Sequence, residues 1–256
     1  MAKKYYVVWQ GRETGIFTDW PTCKRQIDKF AGARYKSFPT QAEAEAAFGG
    51  KASTSGSSGA AAPARKRRAG QTVKTYTAAE IDKLAAEVKI FTDGGCEPNP
   101  GKAGSGIALY RNNKVAELWY GLYNPMGTNN TAELNALNQA LIMAKQELAN
   151  GNRVAILCDS KYSIQCVTQW AAGWKKKGWI KASGEIKNLA LIQEMFERHQ
   201  ELKDKIQVLH VNGHVGVEGN ELADRMSIHA IAEKDPQFCA YPQPIDLKAI
   251  LALRAG

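Results

Sequence analysis

Four acidic residues lie where carboxylates commonly bind metal ions. Asp93 and Asp159 each follow an apolar run, in VKIFTD and VAILCD. Each is therefore expected at the carboxyl end of a strand, where open α/β sheets bind their ligands. Glu133 begins a predicted helix behind the cap region 129–131, and Asp224 lies on a later helix. Carboxylates brought together in this way would repel one another strongly unless cations neutralised them.

The chemistry of these ligands indicates which cations they would bind. Hard oxygen ligands, with no Cys or His at zinc spacing, select Mg²⁺, with Mn²⁺ as an alternative. Two such ions about 3.5–4 Å apart would hold the attacking and leaving oxygens of an in-line phosphoryl transfer. Each acid alone is more often a helix cap or a surface charge, so this prediction depends on all four together.

The elements that must position the acids begin with strands and then alternate between strands and helices. A hairpin around Asn112 and Asn113, followed by this alternation, indicates an α/β fold with a mixed sheet covered by helices. We expect strands over 88–92, 104–110, 115–122, 154–158 and 206–211, and helices over 131–149, 160–170, 188–201 and from 221 onward.

The chain divides at a segment of low complexity. Residues 51–72 are rich in Ser, Gly and Ala, and they contain no Val, Ile, Leu or aromatic residue. Such a segment buries too little apolar surface to offset its ordering entropy, so we expect a flexible linker. The predicted organisation is a small ββαβα domain, a basic linker, a main domain and a tail, over 1–48, 49–85, 86–234 and 235–256.

The positive charge lies at one end of the chain. The 256 residues carry a net charge of +9, of which residues 1–50 contribute +3 and residues 51–75 contribute +6. Residues 76–256 contain 20 basic and 20 acidic residues. This asymmetry favours a polyanionic partner, with nucleic acid the leading candidate and a merely solubilising segment the alternative.

Other features exclude several classes of protein. The five cysteines are scattered without a CxxC pair, which predicts neither a disulfide framework nor a zinc site. No apolar run approaches the roughly 18–20 residues that a membrane span needs. Met1-Ala-Lys-Lys leads directly into a strand pattern without an apolar signal segment. We therefore expect a cytoplasmic protein without a membrane partner, and a monomer.

Four sequence stretches carry a specific resemblance. TDGGCEPNPGKAGSG, TNNTAELNAL, LCDSKYSIQCVTQWAAGWKKKGW and GHVGVEGNELAD occur in this order within residues 88–232. Together they resemble the type 1 ribonuclease H domain, which implies a ribonuclease H-like mixed five-stranded sheet with flanking helices. The resemblance also implies hydrolysis of the RNA strand of RNA–DNA hybrids, leaving 3′-hydroxyl and 5′-phosphate ends. The implied catalytic residues are Asp93, Glu133, Asp159, His214 and Asp224, with all but the histidine as metal ligands.

The same resemblance implies a set of substrate contacts. Short amide and thiol side chains near the acids would contact the RNA strand, whose minor groove displays 2′-hydroxyls. The basic segment GWKKKGW would hold the DNA strand, and a Thr–Asn pair would bind one of its phosphates. The implied residues are Cys96, Asn99, Thr128, Asn129, Asn130, Trp174, Lys175, Lys176 and Asn188.

The first 48 residues resemble the hybrid-binding domain that is related to the caulimovirus viroplasmin amino-terminal domain. The similarity runs through YYVVWQGRETGIFTDWPTCKRQIDKFAGARYKSF. It implies that Trp20 and Tyr35 form an aromatic platform for the DNA strand. Tyr6 and Lys36 would add backbone contacts. Trp9 and Phe17 match no such role and are expected to fill the small core.

Three functional hypotheses fit these observations. The leading one is a two-domain ribonuclease H whose front domain binds the hybrid and tethers the enzyme to it. The second is a hybrid-binding protein with an inactive catalytic fold, against which the presence of all four acids counts. The third is an integrase- or resolvase-like nuclease that cuts duplex or branched DNA. The TNN and GWKKKGW segments favour the hybrid over DNA as substrate.

Overall fold

The chain forms two compact units, residues 1–68 and 69–256. Residues 50–72, which make up most of the predicted linker, and His214 lie outside the part of the chain that the structure describes. The computed structural model describes residues 4–28, 30, 33–49, 73–181, 184–213 and 216–256.

The first unit has the predicted ββαβα order. Its central strand pairs antiparallel with both neighbours, and the side chains of Val7, Val8 and Cys23 are fully buried. Trp9 is partly buried and donates from Nε1 to the carbonyl of Ala47 at 3.1 Å, in keeping with the structural role expected of it. The elements are β1 (Tyr5–Gln10), β2 (Gly15–Phe17), α1 (Trp20–Ile27), β3 (Arg34–Phe38) and α2 (Gln41–Gly49).

The second unit contains a mixed seven-stranded sheet. Its antiparallel part is a meander, and its parallel part carries the strands that lead to Asp93 and Asp159. The strands are β4 (Thr75–Tyr76), β5 (Val88–Glu97), β6 (Gly101–Arg111), β7 (Lys114–Gly127), β8 (Val154–Cys158), β9 (Ile206–Val211) and β10 (Phe238–Ala240), in the spatial order β10-β7-β6-β5-β8-β9-β4.

Helices cover both faces of this sheet. A helix that carries Leu134 and Leu141 packs on one face against Ile90 and Ile156. The other face of the sheet packs against a later helix. The helices are α3 (Ala78–Asp82), α4 (Asn129–Ala149), α5 (Lys161–Gln165), a π-helical turn (Cys166–Trp170), α6 (Ala171–Lys176), α7 (Leu189–Leu202), α8 (Glu218–Glu233) and α9 (Leu247–Leu251).

Two glycines let the flanking helices approach the central strands closely. A Cβ on Gly94 would lie 2.2 Å from the backbone nitrogen of Glu133, at the start of α4. A Cβ on Gly106, which pairs with Asp93 across the sheet, would lie 2.1 Å from the carbonyl oxygen of Ala223 on α8. No side chain fits at either position. These glycines therefore allow two acid-bearing helices to reach the strand that carries Asp93.

The mixed sheet with flanking helices was predicted, but two short edge strands were not. Strand β4 and helix α3 lie within residues 49–85, which were predicted to be linker. Helix α3 is ordered because Ile81 is buried against Phe91 and the Thr77–Glu80 capping box closes its first turn. The buried Lys89 also donates from Nζ to the carbonyl of Ile81. The end of the predicted linker is thus part of the second unit.

The predicted tail also joins the second unit. Strand β10 adds to the sheet at β7, and the ring of Phe238 stacks on Trp119 with centroids 5.9 Å apart. Helix α9 follows in this tail, and it buries Ile250. Residues 238–251 are therefore a folded extension of the domain.

Several element boundaries differ from those predicted. Strand β5 continues through Asp93 to Glu97, because its antiparallel pairing with β6 outlasts its parallel pairing with β8, which stops at Thr92. The helix expected over 160–170 continues through the π-helical turn into α6 and ends at Lys176. Among the described helices, none is long and apolar enough to span a membrane.

The contact of α3 with the second unit can be tested by truncating its buried side chain. Ile81→Ala should destabilise the unit by about 2–5 kcal/mol, since it removes buried methyl groups and leaves a cavity. Thermal unfolding of the full chain measures the change, with the exposed neighbour Lys83→Ala as the control. Unfolding of both variants at the wild-type temperature would show that residues 78–82 contribute no packing.

Candidate active site

The four predicted acids converge on one cavity of about 370 Å³. Asp93 lies within β5, and Asp159 directly follows β8, so the two central parallel strands deliver neighbouring carboxylates. Glu133 is in the first turns of α4, and Asp224 lies on α8. Asp93, Glu133 and Asp224 are buried, and Asp159 is partly exposed.

Burial and mutual repulsion make these carboxylates difficult to ionise together. Burial, with the nearby charges of Asp159 and Asp224, raises the pKa of Asp93 to about 8, although a hydrogen bond from Ser227 opposes this shift. Burial and the charges of Asp93 and Asp159 raise the pKa of Glu133 well above its ordinary value. The cavity therefore favours a cation that would let all four acids ionise.

A serine and an arginine on α8 support two of the acids. The buried Ser227 hydroxyl lies 2.7 Å from Oδ2 of Asp93, to which it donates, and 2.9 Å from the carbonyl oxygen of Asp224. Arg225 forms an ion pair with Oδ2 of Asp224, and both side chains are largely buried. Helix α8 thus contributes one carboxylate and also orients the carboxylate of β5.

The segment after β8 is held from two sides. Asn220 on α8 donates from Nδ2 to Oδ2 of Asp159 at 3.4 Å. His210 on β9 is buried between β4 and this segment. Its Nε2 lies 3.1 Å from the carbonyl oxygen of Asp159, and its Nδ1 lies 2.8 Å from Oγ1 of Thr75. The short edge strand β4 therefore helps to position Asp159.

The cavity suits a hard divalent ion. Oε2 of Glu133 is buried and has no hydrogen-bond partner among the described residues, as expected of an oxygen that awaits a cation. Ligand atoms of Glu133, Cys158 and Asp159 all lie within 4.8 Å of one another. Burial raises the pKa of Cys158 well above its ordinary value, so its thiol stays protonated. Carboxylate oxygens are the ligands available here, and they fit Mg²⁺ or Mn²⁺.

The residues expected to contact RNA lie at the rim of the cavity. Cys96 and Asn129 line it, and Oδ1 of Asn99 accepts a hydrogen bond from the backbone N–H of Asn129 at 3.2 Å. Asn130 is exposed in the first turn of α4. The amide residues thus form one polar edge where the loop before β6 meets the start of α4.

The predicted phosphate-binding pair is joined through a third residue. Thr128 caps α4, and its Oγ1 lies 2.8 Å from Oγ1 of Thr131. The Thr131 hydroxyl donates to Oδ1 of Asn188 at 3.0 Å. Thr128 and Asn188 therefore belong to one polar cluster, so both could contact the same phosphate. Thr131 also belongs to this cluster, and the sequence analysis did not identify it.

The basic segment lies at the end of α6. Trp174 is partly buried against the core, with its ring centroid 5.9 Å from that of Trp170. Lys175 extends over Phe196 with its ammonium 5.6 Å from the ring centroid, and Lys176 is exposed. The segment presents ammonium groups on a rigid aromatic base.

The front unit brings three of its four predicted contact residues together. The ring of Trp20 lies 5.5 Å from that of Tyr6 and 5.9 Å from that of Tyr35, between centroids. Trp20 and Tyr35 remain 42% and 47% exposed. Lys36 follows Tyr35 in β3 and therefore points to the opposite face of that strand, where its ammonium lies 5.3 Å from the Phe38 ring centroid. The three rings of Tyr6, Trp20 and Tyr35 thus form one cluster, and Lys36 lies apart from it.

Several site residues were missed by sequence reasoning. Ser227 and Asn220 each stand three or four positions from Asp224 on α8, one helical turn away, and that spacing was the available signal. Arg254 and Gly256 also line the cavity, although no local pattern connects them to the acids. His214, predicted to assist proton transfer, is not among the described residues.

Comparison with known proteins gives matches over both units. A family model described as RNase H matches residues 85–232, and one described as the ribonuclease H1 N-terminal domain matches residues 4–48. Ribonuclease H1 of Mus musculus is 31% identical over 262 residues, covering 87% of each chain. Ribonuclease H of Pseudomonas aeruginosa strain LESB58 is 38% identical over 148 residues, covering 57% of this chain and 95% of that protein. The crystal structure of LC9-RNase H1 matches with a TM-score of 0.50 and 22% identity, over 65% of this chain and 85% of that one.

The acidic cavity at the centre of a mixed sheet, with these matches, defines the protein as a nuclease. The chain belongs to the ribonuclease H family, as a type 1 enzyme with an amino-terminal hybrid-binding domain. It is thus a hydrolase that cleaves RNA–DNA hybrids, and the family uses divalent metal ions.

Repulsion within the cavity predicts that removing one acid stabilises the metal-free protein. Glu133→Gln should raise the melting temperature in EDTA, where about 1 kcal/mol corresponds to roughly 2–4 °C for a domain of this size. The gain should grow as the pH rises, because a carboxyl whose folded-state pKa is raised loses stability on ionising.

The matched control is Glu197→Gln, which neutralises an exposed acid on α7 and should leave the melting temperature unchanged. Mg²⁺ should shrink the difference between wild type and Glu133→Gln, since the ion offsets the repulsion. A Glu133→Gln variant that melts below the wild type in EDTA would contradict the repulsive cavity.

Proposed function

We propose that the chain is an endoribonuclease that hydrolyses the RNA strand of RNA–DNA hybrids with two Mg²⁺ ions and leaves 3′-hydroxyl and 5′-phosphate ends. The observation that carries this proposal is the convergence of four carboxylates, three of them buried, in one cavity. Carboxylates at the ends of adjacent parallel strands suit the binding of hard cations and of the phosphate that such cations attract.

In this proposal the chain's own residues hold and orient the reacting groups. Asp93, Glu133, Asp159 and Asp224 are the metal ligands, and the hydrogen bond from Ser227 holds Asp93 in its ligating orientation. Two bound Mg²⁺ ions would supply charge stabilisation for both the attacking and the leaving oxygen of an in-line displacement. His214 assists proton transfer at the reacting phosphate or the departure of product, since imidazole titrates near neutral pH.

Substrate choice depends on groups at the rim of the cavity. Cys96, Asn99, Asn129 and Asn130 would contact the RNA strand, and amide groups can bond to the 2′-hydroxyl that DNA lacks. The polar edge made by Asn99 and Asn129 supports this role, because it borders the carboxylates directly. A strand without 2′-hydroxyls would leave these groups without their partners.

Other side chains would hold the DNA strand. Trp174 offers an aromatic face for a deoxyribose, and Lys175 and Lys176 offer charge for phosphates. Thr128 and Asn188, which are linked through Thr131, would bind one DNA phosphate by hydrogen bonding. The partly buried indole of Trp174 supports this assignment, because a rigid platform loses little entropy on binding.

The front unit would tether the enzyme to its substrate. Tyr6, Trp20 and Tyr35 offer a cluster of rings for the DNA strand, and Lys36 adds charge from the opposite face of β3. A flexible linker of about 25 residues would span roughly 25–30 Å, so both units could bind one hybrid. All of the net positive charge lies in residues 1–75, which also supports a role in binding the polyanion.

Cleavage of a labelled hybrid by the full chain tests the proposed reaction. The wild type should cut the RNA strand in Mg²⁺ and not in EDTA, and Asp93→Asn should retain less than a few per cent of the activity, because a ligand is lost while the shape is kept. A hybrid-binding protein with an inactive fold would bind without cutting. A DNA nuclease would cut a DNA duplex of the same sequence at a comparable rate.

The tether can be tested by truncating its most central ring. Trp20→Ala in the full chain should raise KM about tenfold and leave kcat nearly unchanged, since stacking contributes about 1–3 kcal/mol. Phe48→Ala, which removes another exposed ring of the same unit, is the control and should leave KM unchanged. An unchanged KM for Trp20→Ala, with thermal unfolding preserved, would show that the ring cluster does not bind substrate.

A further inference from the structure

The segment after α9 forms one wall of the catalytic cavity, although it lies beyond residues 85–232, which match the family. Strand β10 pairs with β7, and the buried Ile250 anchors α9 to the core that includes α8. The chain then continues from this anchor to the carboxylates, where Arg254 and Gly256 line the cavity.

Two contacts hold this segment in place. The backbone N–H of Gly256 donates to the carboxylate of Asp224, with its nitrogen 3.1 Å from Oδ1 and 3.3 Å from Oδ2. Nη2 of Arg254 donates to Glu97 at the end of β5, at 2.9 Å from Oε1 and 3.1 Å from Oε2. Each carboxylate oxygen has two lone pairs, so the N–H of Gly256 leaves Asp224 with acceptor capacity for a cation.

The charges around the cavity make Arg254 distinctive. Among the described residues that line it, Arg254 is the single basic side chain, beside five acids. Arg225 is largely buried, and its guanidinium already has Asp224 as its ion-pair partner. The guanidinium of Arg254 is thus the group of this lining that can attract a phosphate by charge.

The pairing of Arg254 with Glu97 is weak enough to be exchanged. The two side chains are 74% and 63% exposed, and an ion pair in such a setting contributes about 0–1 kcal/mol. A phosphate offers the planar guanidinium two parallel acceptors, and it releases counterions when it is bound. A nucleic acid that enters the cavity can therefore replace Glu97 as the partner of Arg254.

We propose that Arg254 binds a backbone phosphate of the strand being cut, next to the catalytic carboxylates. The segment after α9 is then a substrate-binding element that this chain adds to the family fold. The contact between Gly256 and Asp224 supports this role, because it keeps the segment against the cavity and the guanidinium at its mouth. This inference rests on the nuclease function proposed above.

Hybrid binding and cleavage by full-length variants test the proposal. Arg254→Ala should weaken hybrid binding several-fold and raise KM by a similar factor, with kcat nearly unchanged. It should also reduce the slope of log affinity against log salt by about 0.7–0.9, the value expected for one lost phosphate contact. Arg254→Lys should retain part of the affinity, and Glu97→Gln should tighten binding, because it removes the competing carboxylate.

The control is Lys248→Ala, which removes one positive charge from the exposed surface of α9 and should leave KM and the salt slope unchanged. Arg254→Ala with wild-type binding and wild-type salt slope would overturn the proposal. Faster cleavage by Arg254→Ala would also overturn it, by showing that the segment obstructs the cavity. Binding by anisotropy is measured without Mg²⁺, so it tests Arg254 even if the wild type fails to cut the hybrid.

Discussion

Four carboxylates repel one another within one cavity, and this repulsion constrains the fold of the second unit. Burial together with neighbouring charge raises the pKa of both Asp93 and Glu133. A fold that keeps such groups together must hold them by other contacts. It does so with a central strand that is paired on both sides up to Thr92, with two close-packed helices, and with donors aimed at individual carboxylate oxygens.

The close approach of the helices is the main structural response to that constraint. Gly94 and Gly106 leave room for the backbones of α4 and α8, so Glu133 and Asp224 reach the strand that carries Asp93. The same approach allows Ser227 to donate to Asp93. The segments outside the family match add to this support, since β4 braces Asp159 through His210 and the segment after α9 reaches Asp224. The cavity is therefore supported by α4, α8, β4 and the segment after α9.

Local sequence patterns predicted the main strands and helices of the second unit and the acids that they carry. Apolar runs that end in Asp93 and Asp159 located two strands and two of the acids in the cavity. The helix that carries Glu133 was predicted to begin at residue 131, but Thr128 caps it and the helix begins at Asn129. The contacts missed are those between distant residues: Ser227 and Asp93 are 134 positions apart, and Arg254 and Glu97 are 157 apart. Strand β4 has two residues, too few for any periodicity, and it depends on pairing with β9. Such features depend on tertiary packing rather than on the local propensity of residues for helix or strand.

We propose that divalent ions bind in this cavity and offset the repulsion among its carboxylates. The most direct measurement is thermal unfolding of the full chain over a range of Mg²⁺ concentrations, since a ligand of the folded state alone raises its stability as its concentration increases. The melting temperature should rise with Mg²⁺ in the wild type and stay constant in the double variant Asp93→Asn and Glu133→Gln. A wild-type melting temperature that is the same in EDTA and in saturating Mg²⁺ would show that the cavity binds no stabilising ion.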